Sequence, residues 1–245
     1  YLKLTKGLNV TFPPVILSPY SGKYQYCGFQ EIKGKMLGAA DRFAFKGTTT
    51  IGVVCRDGVI LASDTRVTMG PLVVHKRGKK IYKIDDHLAM TIAGNVADAQ
   101  WSVEVLKVNA NLYRLERKRP IPVSSAGRLV ANMLFSSRLA PLVTQILLGG
   151  IDDSGPHVFS LDPFGSLTEE KCVATGSGSP IAYGVLEDRY REDMTVKEAL
   201  PIVVKSIESA MKRDVASGDS FDIAVIDKNG YRELTEEEKK ALSSS

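Results

Sequence analysis

"FKGTTTIGVVCRDGVILASDTRVTMG", residues 45–70, sets a glycine before three threonines and then two apolar, β-branched runs on either side of Asp57-Gly58. An Asp-Gly dipeptide tolerates positive φ and suits a two-residue turn, so the stretch reads as a β-hairpin. The hairpin leads into Asp64-Thr65-Arg66, and the glycine sits nearly fifty residues into the chain.

Further along, "KKIYKIDDHLAMTIAG" reads as a second hairpin around Asp85-Asp86. Val96, Ala99, Val103, Leu106, Val108 and Leu112 recur at helical spacing from Asn95 to Arg119, where Pro120 stops them. Ser124 is placed to cap a second helix running to about Leu139. "TQILLGGID", "PHVFSLD" and "EEKCVATG" alternate as strands, followed by a helix over Ala182 to Tyr190. Thr195 and Glu198 have capping-box spacing and open a fourth helix towards Asp214, with Pro201 expected to kink it or end its first turns. "FDIAVIDKNGYREL" closes the chain as a hairpin with Asn229-Gly230 at its tip. Runs of strands and runs of helices, without strict alternation, predict an α+β layered fold with mostly antiparallel sheets between helix pairs.

At 245 residues, 44% hydrophobic and 24% charged, the chain has globular composition and length enough for a sizeable core. No apolar run reaches the roughly 18 residues of a membrane span, so no membrane partner is expected. Residues 1–47 hold seven Lys/Arg against two Asp/Glu, whereas the remainder holds 25 against 26. The basic excess therefore lies in the leader, and the near-neutral body argues against a nucleic-acid footprint. Cys27, Cys55 and Cys172 form no metal or disulfide pattern and fit buried thiols in a reducing cytoplasm. Pro13, Pro14 and Pro19 interrupt the only hydrophobic stretch of the N-terminus, which does not read as a secretory signal.

The three threonines gain chemical meaning if the chain is cut at Gly47-Thr48. A threonine hydroxyl is a weak nucleophile without a base, and a terminal residue carries one in its α-amino group, with a pKa of about 7.7 to 8.0. Gly47, lacking Cβ, permits the strained backbone needed for the Thr48 hydroxyl to attack the preceding carbonyl. The tripeptide alone reads more simply as the start of a strand, for which threonine has good propensity. His75, His87 and His157 accompany no GxSxG, and there is no P-loop or GxGxxG, so neither serine-triad nor nucleotide chemistry is expected, and no cofactor or metal.

Together with the opening stretch, "HKRGKKIYKIDD", "MTIAGNVADAQ", "LLGGID…GPHVFSLDPFG", "ATGSGSPIAYGVLE" and "RDVASGD" resemble the β subunits of the proteasome core particle, above all the archaeal type, over residues 47–245. The resemblance implies the N-terminal nucleophile hydrolase fold, a four-layer α-β-β-α sandwich, and a threonine endopeptidase acting on unfolded proteins. By motif match it makes Thr48 the nucleophile, Asp64 and Lys80 its charged neighbours, and Gly94 the backbone donor to an oxyanion. Ser177, Asp214 and Ser217 complete the supporting set. Val67, Gly78, Ile92, Val96 and Gln100 match the pocket for the residue before the scissile bond and offer an apolar wall, so cleavage after large hydrophobic residues is expected. The implied partners are other β subunits in a seven-membered ring, α subunits, and an ATPase unfoldase acting indirectly, in the cytoplasm.

On this reading residues 1–47 are a leader removed on maturation and residues 48–245 are the working domain. The leader exceeds the short propeptide usual among archaeal relatives, and with Tyr1 in place of Met the chain reads as a fragment or an unprocessed precursor. A non-catalytic, structural β subunit that keeps its leader is the alternative, since Thr48 then has no free amine. The bacterial two-threonine peptidase shares the fold but departs from "LASDTRVTMG", and a nucleic-acid module would require salt-dependent binding through the leader.

Overall fold

The computed structural model describes residues 47–243; the expected leader, apart from Gly47, and Cys27 lie outside them. In chain order the elements are β1 (Thr49–Cys55), β2 (Gly58–Asp64), β3 (Val67–Met69), β4 (Leu72–His75), β5 (Ile81–Asp85) and β6 (Leu88–Gly94). Helices α1 (Val96–Arg117) and α2 (Val123–Ser136) follow, then β7 (Thr144–Asp152), β8 (Gly155–Leu161), β9 (Leu167–Glu170) and β10 (Cys172–Gly176). Helices α3 (Ser179–Arg189) and α4 (Val196–Arg213), strands β11 (Phe221–Asp227) and β12 (Gly230–Glu233), and helix α5 (Glu236–Ser243) complete the chain.

Two five-stranded antiparallel sheets form, ordered β10-β1-β2-β11-β12 and β5-β6-β7-β8-β9. The pleat sends alternate residues to opposite faces. Ile51, Val53, Ile60, Ala62, Ile223 and Val225 face α3 and α4, where Leu186, Val203, Val204 and Ile207 meet them. Val59, Leu61, Ala224 and Ile226, from the other face, pack against Ala89, Leu147 and Val158 of the second sheet. The far side of that sheet presents Met90, Ile92, Ile146 and Leu148 to Val103, Leu106, Val130 and Leu134 of α1 and α2. Three apolar layers thus hold four layers of structure, the expected α-β-β-α sandwich. Strands buried on both faces explain why "TIGVVC" and "GVILAS" are nearly continuous in apolar residues. Each fully buried Leu, Ile or Val contributes about 1.5–3 kcal/mol. Among the described residues no helix is long and apolar enough to cross a membrane.

Several local expectations change. The first hairpin turns at Arg56-Asp57, with Cys55 paired to Gly58. Neither Asp57 nor Gly58 takes positive φ. Gly58 instead lies so close to β11 that a Cβ would stand 2.5 Å from the Ile226 carbonyl oxygen. Asp57 Oδ1 accepts the Val196 N–H at 2.8 Å, at the start of α4. The turn of the first hairpin thus comes one residue earlier than expected, whereas the second hairpin turns one residue later, at Asp86-His87.

Ser124 does not cap α2. Pro122 holds the cap position, and Asp152 Oδ2 accepts the Val123 N–H at 2.8 Å from the end of β7. "EEKCVATG" is two strands in different sheets, because the chain crosses between them at Lys171. Helix α4 runs unbroken through Pro201, and the Thr195–Glu198 capping box is formed on both sides. The β3–β4 hairpin and α5 were not expected; α5 opens on a second Thr-x-x-Glu box, with Thr235 N–H donating to Glu238 Oε2 at 2.8 Å.

Candidate active site

Thr48 stands one residue before β1, at the end of the sandwich where β1, β2 and β10 meet. The β1–β2 register pairs Thr50 with Ser63, which brings Thr49 beside Asp64, and the Thr49 N–H donates to Asp64 Oδ1 at 2.9 Å. Thr48 is buried, and its hydroxyl donates to the Gly47 carbonyl at 2.6 Å. Gly47 is sterically required: a Cβ there would fall 1.6 Å from that of Ala216. Its N–H donates to Thr68 Oγ1 at 3.0 Å. Gly176 has φ +86°, and a Cβ on it would lie 2.0 Å from the Thr48 carbonyl oxygen. Backbone alone can pass so close to Thr48.

Lys80, just before β5, reaches Asp64 with Nζ 2.7 Å from Oδ1. Asp64 is wholly buried and accepts three more bonds, from the backbone N–H groups of Thr49, Arg66 and Gly218. Burial pushes the Asp64 carboxyl above its ordinary range, while Lys80 and the backbone donors oppose the rise. Burial also makes the Lys80 ammonium easier to deprotonate than usual, against the pull of Asp64. An ammonium so placed gives up its proton more readily than a solvated lysine does.

Ser177, in the turn between β10 and α3, accepts the Thr48 N–H at 3.3 Å and donates to Asp214 Oδ2 at 2.6 Å. Asp214 is the C-cap of α4, and the same Oδ2 accepts from Ser217 Oγ at 2.5 Å. Ser217 Oγ in turn lies 2.7 Å from Thr49 Oγ1, so with its own proton given to Asp214 it accepts from the Thr49 hydroxyl. The expected supporting set therefore forms one hydrogen-bonded cluster reaching Thr48 and Thr49, drawn from β1, the β10–α3 turn and the end of α4.

A small pocket opens beside Thr48, with about 30 Å3 of free space. Val67, Ile92 and Val96 line it, as does Gly94. Gly78 stands behind Val67, where a Cβ would fall 2.3 Å from Val67 Cγ2, and Gln100 is exposed on α1; neither reaches the pocket. The wall also carries Arg66, Lys79 and Lys80, where the sequence places Lys80 beside Thr48 but predicts an uncharged, apolar pocket. Each already has a carboxylate partner: Asp219, Glu233 and Asp64.

Arg66, Gly176, Gly218 and the Thr49 backbone were missed as site elements. Arg66 stands two residues after Asp64 in the sequence, but it follows the end of β2 and its side-chain partner Asp219 lies 153 residues further on, so its role carried no local signal. Gly218 and Gly176 act through the fold and carry no local signal.

A family model described as "Proteasome subunit" matches residues 44–226. The chain is 50% identical over 201 residues to "Proteasome subunit beta" of Methanosarcina barkeri, covering 82% of this chain and 95% of that protein. It is 51% identical over 199 residues to the protein of the same name from Ferroglobus placidus, covering 81% and 95%. For Methanothermobacter thermautotrophicus the identity is 49% over 199 residues, again with 81% and 95% covered. The chain belongs to the proteasome subunit family and is of the archaeal β type.

Proposed function

We propose that the chain is a threonine endopeptidase subunit of a proteasome core, activated by its own cleavage between Gly47 and Thr48. The observation that carries this reading is the Thr48 hydroxyl, held 2.6 Å from the Gly47 carbonyl oxygen in one pocket with Lys80, itself paired to the buried Asp64. In activation the hydroxyl oxygen attacks the Gly47 carbonyl carbon, its proton passing to a nearby base. Collapse of the tetrahedral intermediate breaks the Gly47–Thr48 amide and leaves Gly47 as an ester on Thr48 Oγ1. The departing nitrogen takes up a proton in that step and becomes the free α-amine; water then hydrolyses the ester, releasing the leader, residues 1–47, as a carboxylate and restoring the Thr48 hydroxyl. During the attack itself the Thr48 nitrogen is still an amide, so Lys80, whose ammonium burial makes easier to deprotonate, is the suitable base.

In the mature domain, residues 48–245, the α-amine takes over as base. Ser177, which accepts the Thr48 N–H and is itself fixed by Asp214, is placed to orient it. Thr48 Oγ1 attacks a substrate carbonyl, the Gly94 N–H steadies the oxyanion, and an ester forms as the amine product leaves with a proton. Water cleaves the ester and regenerates Thr48. Every step uses the chain's own groups and water.

Val67, Ile92 and Val96 favour a hydrophobic residue before the cut, and the lining cations are already paired, so an acidic side chain finds no free partner. Gly47 itself forms part of the pocket wall and leaves on cleavage, which enlarges the space for a bulky side chain. Family membership supports assembly with other proteasome subunits in a ring; on this reading other β subunits fill the same seven-membered ring, stacked against rings of α subunits, in the cytoplasm. Confining Thr48 in a chamber restricts it to unfolded polypeptides delivered by an unfoldase. Thr48→Ala tests the reading: both leader removal in cis and fluorogenic peptide hydrolysis must vanish while rings still assemble. Hydrolysis persisting in Thr48→Ala rings would refute it.

A further inference from the structure

Arg66 grips the loop that follows α4 at two points. Its Nε lies 2.8 Å from Asp219 Oδ2, and Nη1 donates to the Val215 carbonyl at 2.8 Å. Between those points the guanidinium lies flat against Gly218, where a Cβ would sit 2.5 Å from Cζ and Nη2. Asp219 holds φ +64°, a left-handed conformation uncommon for a residue with a side chain, and the ion pair gives it a partner there.

The gripped loop is the one that builds the site's far wall. Gly218 donates its N–H to Asp64 Oδ2 at 3.1 Å, and Ser217 links Thr49 to Asp214. Arg66 also touches Asp64 directly, through its own backbone N–H at 3.0 Å to the same Oδ2. One residue therefore supplies one donor to that carboxylate oxygen and fixes the loop carrying the other.

The geometry points to the Arg66–Asp219 clamp as a positioning device for Asp64, and through Asp64 for Lys80 and Thr48. Arg66 lines the pocket beside Thr48, but its guanidinium is committed to Asp219 and the Val215 carbonyl, so its effect runs through the loop and the carboxylate. Resting on the peptidase reading above, this assigns a working role to two residues outside the motif-matched set. Lysine cannot replace arginine here, because a single ammonium cannot span Asp219 and the Val215 carbonyl in the planar fork that guanidinium provides.

The test uses assembled, processed rings carrying Arg66→Met, Asp219→Asn or both. Asn tolerates the left-handed conformation at residue 219, so Asp219→Asn removes the charge without forcing the backbone to move. For Arg66→Met we expect kcat to fall roughly tenfold, with KM within about twofold, as for a misplaced catalytic group. The double variant should be no worse than Arg66→Met alone, since both changes break one contact. Arg66→Lys should recover little. Hydrogen exchange of the amides over residues 215–219 gives a readout independent of activity and should accelerate in both single variants. Unchanged exchange in Arg66→Met, or fold-losses that multiply in the double variant, would overturn the clamp. Wild-type rings without Thr48-dependent hydrolysis would instead condemn the peptidase reading, with the exchange result still deciding on the clamp.

Discussion

Lys80 Nζ and Asp64 Oδ1 are 2.7 Å apart, with the lysine side chain 9% exposed and the aspartate wholly enclosed. Removing the ammonium strands a buried carboxylate that still has three backbone donors. Lys80→Ala should therefore abolish most hydrolysis and also cost about 3–5 kcal/mol. The double change Lys80→Met with Asp64→Asn should recover much of that stability and none of the activity. Thermal unfolding of the three proteins beside a peptide assay checks this, and a fully stable, inactive Lys80→Ala would show that the pair is not structurally coupled.

Gly176→Ala places a Cβ 2.0 Å from the Thr48 carbonyl oxygen and imposes φ +86° on a residue that resists it. The left-handed conformation alone costs about 1–2 kcal/mol, and relief of the clash must move Thr48. Leader removal should slow by orders of magnitude while the sheets still form. A time course of processing, run beside far-ultraviolet circular dichroism, measures both. Processing at the normal rate would show that the position of Thr48 is not critical.

Asp152 ties the end of β7 to the start of α2. Burial raises its carboxyl, but the bonds from Ser154 and Val123 outweigh that and leave it below its ordinary value. A depressed carboxyl contributes stability fully above about pH 3.8, the unfolded value, and loses it as pH falls through the lower folded value. Asp152→Ala should cost about 1 kcal/mol near neutrality, the usual worth of a helix cap. The deficit should shrink in strong acid; an Asp152→Ala deficit that stays constant from pH 7 to pH 2 would contradict the capping role.

Peptides with Leu, Phe or Tyr before the cut should be turned over faster than those with Asp or Glu, because Arg66, Lys79 and Lys80 are already occupied by carboxylates. Glu233→Gln frees Lys79 on the pocket wall and should narrow the preference. Faster cleavage after Glu in the unaltered protein would sink the apolar reading of the pocket.

Local pattern and tertiary placement differ in how far they could be read. The β1–β2 strands, α1 up to Pro120 and the Thr195–Glu198 box depend on neighbours in sequence, and all were legible. The Asp152 cap on α2 was invisible because its partner lies 29 residues away, leaving Ser124 as the nearer but idle candidate. The crossing at Lys171 hid inside an unbroken strand-like run. Helix α5 was readable from Thr235 and Glu238, whose spacing repeats that of Thr195 and Glu198, although its polar exposed face weakened the periodicity. At the candidate site, the hydroxyls and charges proposed to act were named by motif match, and they lie close together in the fold. The backbone work of Gly176 and Gly218 depends on close approach between distant segments, which no local pattern records.

The decisive measurement is the N-terminal sequence and intact mass of the chain after co-expression with an α subunit and isolation of assembled rings. A terminus at Thr48 is expected, with the mass of residues 48–245 and the free amine that the chemistry requires. Assembled rings in which the chain still carries residues preceding Thr48 would leave that amine locked in a peptide bond. They would identify the chain as a structural subunit and contradict its assignment as a peptidase.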